Sequence, residues 1–128
     1  MSNVPVDLFF AKTHEWVLVE ENVATIGISD HAQSELGDIT FVELPEDDTE
    51  INAGDEAANI ESVKAASPVF SPVGGVIIEV NPDLEDTPEN INHDPYDSGW
   101  IFKVEMSDKS DLDNLMSAEE YEEFIAEA

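Results

Sequence analysis

The chain has no cysteine and no arginine, and its four lysines stand against 31 acids, a formal net charge of −27. Without cysteine there is no disulfide framework and no thiolate metal site. The scarcity of cations argues against nucleic acid as a partner, because phosphate contacts need Lys and Arg. It argues equally against adsorption to anionic lipid. Long apolar runs are missing too, so no segment reads as a transmembrane span or a secretory h-region. The opening "MSNVPVDLFF" lacks the Arg-rich character of a transit peptide. These absences fit a soluble, cytoplasmic protein. At 128 residues the chain can hold one domain with its own core. The excess of acid admits three readings: solubility through a solvated surface, adaptation to high salt, or steering toward basic partners.

The dominant hydrophobic period is two. "EWVLVEENVATIGIS" reads as a hairpin turning at Glu20-Glu21-Asn22, with β-branched residues on both arms. In "SDHAQSELGD", Ser29 is the expected N-cap of a short helix and Gly37 its stop. "ITFVELP" is the next strand, and "EDDTEINAGDE" reads as an acidic turn region. "AANIES" and "SPVFS" are strands flanking a "VKA" tip, followed by the strand "GGVIIEV". Residues 81–99 read as a long loop with one helical turn, Thr87 capping it and Pro88 in its first position. "WIFKVEM" returns to strand. The end is helical, with Ser110/Asp113 and Ser117/Glu120 both matching a capping box. Leu112, Leu115 and Met116 share one face there, as do Tyr121, Phe124 and Ile125. Many closely spaced short strands predict a mainly β sandwich or flattened barrel with a helical tail.

Few catalytic or metal motifs survive inspection. His14, His31 and His93 are far apart in sequence, and no H-x-x-x-H pair exists. "DKSDLDNLMSAEE" has acids at some EF-hand positions but no glycine at the sixth. No nucleotide loop or nucleophile elbow is present. Lys64 is the one cation between Lys12 and Lys103. Schiff-base chemistry would need its amine buried, yet it stands in what reads as a wet turn between two strands, among small neighbours. A modifying enzyme could approach it there, and an acyl group in amide linkage would make an arm of roughly 14 Å. An ordinary solvated surface lysine remains the commoner fate of that residue type.

The segment "ESVKA" followed by "SPVGGVIIEVN" resembles the lipoyl-lysine region of the glycine cleavage H-protein family. "HEWV" (14–17), "ATIGISDHAQSELGDITFVELP" (24–45), "NHDPYDSGWIFKV" (92–104) and "LMSAEEYEEF" (115–124) resemble the same family, in its order and spacing. The resemblance implies a hybrid barrel-sandwich fold, biotinyl/lipoyl-carrier type, with short peripheral helices and a C-terminal helical segment. It implies a single lipoyl-carrier domain over 1–128, with lipoate covalently attached to Lys64. Such a protein is a non-catalytic carrier. It shuttles the aminomethyl group of glycine from glycine decarboxylase (P protein) to the aminomethyltransferase (T protein) and is reoxidised by dihydrolipoyl dehydrogenase (L protein). Lipoate-attaching enzymes are further implied partners, and a carrier visiting several enzymes is expected to be a monomer.

The family places the glutamate of "HEW", here Glu15, in a groove that holds the loaded arm, where a carboxylate would bind a protonated amine. Read without the resemblance, Glu15 is one of 31 surface acids. Trp16 is expected in the core, and His31 and Gly37 are expected to shape the helix and turn between strands. Ser67 is followed by Pro68 where the family commonly has an acid, which withholds any groove role from residues 66–70. Rival carriers show "DKA" or "MKM" at the lysine, whereas Val63 and Ala65 flank it here. A protein that only relays lipoyl groups to other lipoate-dependent complexes would use the same lysine. Reconstituted glycine decarboxylation would separate the two.

Overall fold

The computed structural model describes residues 4–126, so the expectation of one domain over 1–128 reaches past both ends of that range. Among the described residues, nine strands form two antiparallel sheets. The strands are β1 (Phe9–Phe10), β2 (Glu15–Glu20), β3 (Val23–Ile28), β4 (Ile39–Glu43), β5 (Glu50–Ile51), β6 (Glu56–Ser62), β7 (Ala66–Phe70), β8 (Gly75–Val80) and β9 (Phe102–Met106). The larger sheet runs β1-β2-β3-β9-β8-β5 and the smaller β4-β6-β7. Neither sheet closes on itself, which is the sandwich form of the predicted fold. The helices are α1 (Asp30–Leu36), α2 (Asp83–Asp86), α3 (Asn90–His93) and α4 (Ala118–Ala126), with a 3₁₀ segment over Lys109–Asn114.

The period-2 reading succeeds in β9, where Phe102, Val104 and Met106 are buried and Lys103 and Glu105 are not, while β3 beside it is buried on both faces. In β3, Ala24 and Ile26 are fully buried and face Val104 and Phe102 of β9, which are buried as well. With Ile60, Val69, Val73 and Ile77 they make the main core between the sheets. A second cluster, Val4, Leu8, Phe10, Trp16, Ala118 and Tyr121, packs α4 against the outer edge of the larger sheet. Phe10 stacks on Tyr121 with ring centroids 4.4 Å apart and planes 5° from parallel. Trp16 is buried as expected and donates Nε1–H to Pro95 O at 2.9 Å. Its indole covers Gly27, its register partner, where a Cβ would stand 2.7 Å from the ring nitrogen.

Ser29 caps α1 by accepting from Ala32 N, and Gly37 ends the helix in a left-handed conformation (φ 77°) with its N–H on Gln33 O. Ser117 and Glu120 form the reciprocal capping box, at 2.9 and 3.2 Å. Three local expectations are corrected. Asp108, not Ser110, caps the segment after β9, accepting from Ser110 N at 2.9 Å. Residues 81–99 contain two helical turns rather than one, and Thr87 closes the first by donating Oγ1–H to Asp83 O. The acidic turn region holds the two-residue strand β5, paired with β8. Among the described residues no helix is long and apolar enough to cross a membrane.

Candidate functional site

The β6–β7 hairpin carries Lys64 at its tip, exposed, as the sequence predicts. Ser62 builds the tip. Its N–H and Oγ–H both donate to Ala65 O, at 2.8 and 3.1 Å, while its Oγ accepts from Lys64 N and Ala65 N. Val63 N donates to Asp38 O at 3.1 Å, tying the tip to the turn after α1. A Cβ placed on Gly37 would lie 3.5 Å from Lys64 Cε and 3.9 Å from Cδ, so the lysine methylenes rest over that glycine. Asn92 secures the same turn from α3. Its Oδ1 accepts from Ile39 N, and its Nδ2 donates to Gly37 O and Gln33 Oε1.

Beside the tip opens a cleft of about 330 Å³. One wall is α1, through His31, Ala32, Glu35 and Leu36, and the other is β7, through Ser67, Pro68 and Val69. Thr13, His14 and Glu15 form its far end. Pro68 therefore belongs to the wall, although the sequence withheld a groove role from it. Its missing N–H is tolerated because β7 is an edge strand. As extended chain β7, Ala66–Phe70, covers about 13 Å, close to the roughly 14 Å of an acylated lysine arm. An exposed amine, a glycine beneath its methylenes and a part-apolar channel of that length fit a long acyl-lysine arm.

Glu15 is not a surface acid. It is 1% exposed. Its Oε2 accepts from Phe70 N at 3.1 Å, and its Oε1 accepts from Thr13 Oγ1. It forms no ion pair among the described residues. Burial pushes its carboxyl up to about 7, against the pull of those hydrogen bonds. A buried carboxyl without a counter-ion, at the end of an open cleft, is poised to accept from a cation that enters.

The sequence treated the histidines as scattered, but the fold brings two together. His14 and His31 have ring centroids 5.0 Å apart. His31 Nε2 lies 3.3 Å from Glu35 Oε1 on the next turn of α1. Burial first, and then His31, lowers the His14 pKa. No group of three or more metal-ligating side chains forms among the described residues. Sequence reasoning missed Thr13, His14 and Asn92 as parts of the site. The one signal for them was their place inside or beside the segments "HEWV" and "NHDPYDSGW".

The glycine cleavage H-protein family model matches residues 8–128. A glycine cleavage system H protein from Staphylococcus haemolyticus is 55% identical over 124 residues, 97% of this chain and 98% of that one. One from Staphylococcus epidermidis is 53% identical with the same coverage. The crystal structure of a glycine cleavage system H protein from Mycobacterium marinum superposes with a TM-score of 0.88 at 31% identity, covering 96% of this chain and 99% of that chain. The exposed lysine at the hairpin tip, the cleft beside it and these likenesses agree: the chain belongs to the glycine cleavage H-protein family, the lipoyl carriers of the glycine cleavage system.

Proposed function

We propose that Lys64 is the residue that carries lipoate, and that the cleft ending on Glu15 shelters the loaded arm between visits to the partner enzymes. When bound, the group supplies a disulfide that accepts the aminomethyl unit of glycine and is later restored. The chain's own residues supply placement. Ser62 and Asp38 hold the tip rigid while the Lys64 side chain stays free to leave it. α1 and β7 keep water from one length of the arm. Glu15 accepts a hydrogen bond from a protonated amine that reaches it, and the incoming cation favours the ionised carboxylate. The protein itself is no catalyst; P, T and L proteins perform the chemistry. The observation that carries this reading is the pairing of one exposed, rigidly mounted lysine with a cleft that ends on a buried, uncompensated acid.

The protein acts, on this reading, as one monomeric domain over 1–128 in the cytoplasm. Intact mass should rise by one lipoyl group when the chain meets a lipoate-attaching enzyme, and Lys64→Arg should abolish the rise. Modification at Lys12, Lys103 or Lys109 instead would overturn it. Glu15→Ala should leave lipoylation intact and speed loss of the cargo from the loaded protein. Equal loss rates would remove Glu15 from the account.

A further inference from the structure

One hydroxyl joins the far end of the cleft to its α1 wall. Tyr121 projects from α4 and is fully buried. Its Oη lies 2.7 Å from His14 Nδ1 and 2.7 Å from Ser29 Oγ. His14 sits in the turn that carries Thr13 and Glu15, and its backbone is left-handed (φ 77°). That conformation is costly for a side chain with a Cβ and persists only where surroundings hold it. Ser29 caps α1, one wall of the cleft. The same two segments also meet through Ser29 N donating to His14 O at 2.9 Å.

The direction of the hydrogen bonds follows from counting donors. Ser29 Oγ accepts from Ala32 N, and among the described residues Tyr121 Oη is the acceptor in reach of its own proton. The Ser29 hydroxyl therefore donates to Tyr121. Tyr121, with one proton, donates to His14 Nδ1. Burial pushes Tyr121 up to about 12, so that proton stays in place at neutral pH. The reverse order would leave the buried Ser29 O–H unmatched, which is the costly arrangement. His14 is then the neutral tautomer with its proton on Nε2.

We infer that Tyr121 is a positioning residue of the carrier cleft: its hydroxyl, accepting from Ser29 and donating to His14 Nδ1, fixes the Thr13–Glu15 turn against the N-terminal end of α1. This rests on the cleft being the arm's shelter. The C-terminal helix, none of whose side chains lines the cleft, would in this way set its geometry.

The experiment is ¹⁵N NMR of histidine-labelled wild type and Tyr121→Phe, as apo and lipoylated protein, well above the titration of His14. The variant keeps the ring that stacks on Phe10 and loses only the hydroxyl. In wild type, His14 Nδ1 should show the shift of an unprotonated, accepting nitrogen. In Tyr121→Phe that preference should weaken, and cargo should leave the loaded protein about threefold to tenfold faster, the effect of one lost hydrogen bond. Lipoylation of Lys64 should not change. A proton on Nδ1 in wild type would overturn the inference even if the variant failed to fold. So would a variant with unchanged His14 shifts and unchanged cargo retention. Absence of lipoyl from Lys64 in wild type, with the histidine shifts as expected, would instead sink the functional reading and leave the tether standing.

Discussion

The tip and the floor of the site are built in opposite ways. The tip at Lys64 is made by its own neighbours, with Ser62 bonding to residues 64 and 65, and it stands in water. The floor at Glu15 joins Thr13 of its own turn to partners distant in sequence, Phe70 from β7 and the Ser29–Tyr121 pair that steadies His14. The tip is a local structure whose function needs exposure. The floor is a tertiary structure whose function needs burial. On the proposed reading, loss of one lysine disables the first without touching the fold, whereas a change at the second acts on stability and function together.

The largest effect should come from the tip. Lys64→Arg should remove all carrier function in the reconstituted three-partner assay while shifting the thermal midpoint by no more than a degree or two, since a surface substitution typically moves stability within about 0.5 kcal/mol. A large loss of stability would show that Lys64 is structural and erase the contrast.

Next is the buried acid. Because burial raises the Glu15 carboxyl from 4.5 to about 7, the folded state holds a proton that the unfolded chain gives up. The stability tied to that proton is fully present below 4.5 and is lost as pH rises through about 7. The loss amounts to about 3 kcal/mol. Glu15→Gln should abolish this slope and be the more stable protein above neutral pH. Denaturant unfolding across pH 4 to 8, wild type against variant, measures it; parallel curves would mean that Glu15 is solvated after all.

The smallest effect belongs to the scaffold of the tip. Ser62→Ala removes bonds that water can partly replace, so it should cost about 0.5–1 kcal/mol. Amide exchange at Lys64 and Ala65 should rise, with lipoylation slowed rather than stopped. A change that also reached Phe70 or Thr13 would show that tip and floor are one cooperative unit.

Local signals were legible wherever a bond closes within a few residues. Ser29, Gly37 and the Ser117–Glu120 box are capping patterns whose partners lie three or four positions away. The failures have the same origin. Ser110–Asp113 matches a capping box, but Asp108 competes for the Ser110 N–H and wins. Thr87 reads as an N-cap, yet its hydroxyl already serves the turn before it. β5 is too short to carry a period and exists because β8 offers it an edge.

The chain alone determined the two-residue period of the strands, the short turn that lifts Lys64 into solvent, and the acidic surface, because each depends on side-chain type and near neighbours. It also carried the family's segments, which disclosed a carrier. Folding alone decided that Glu15 is the one buried acid among the described residues, that His14 meets His31 and Tyr121, and that Pro68 lines a wall. Those outcomes arise where β2, α1, β7 and α4 converge, and the desolvation of Glu15 exists only once they have met.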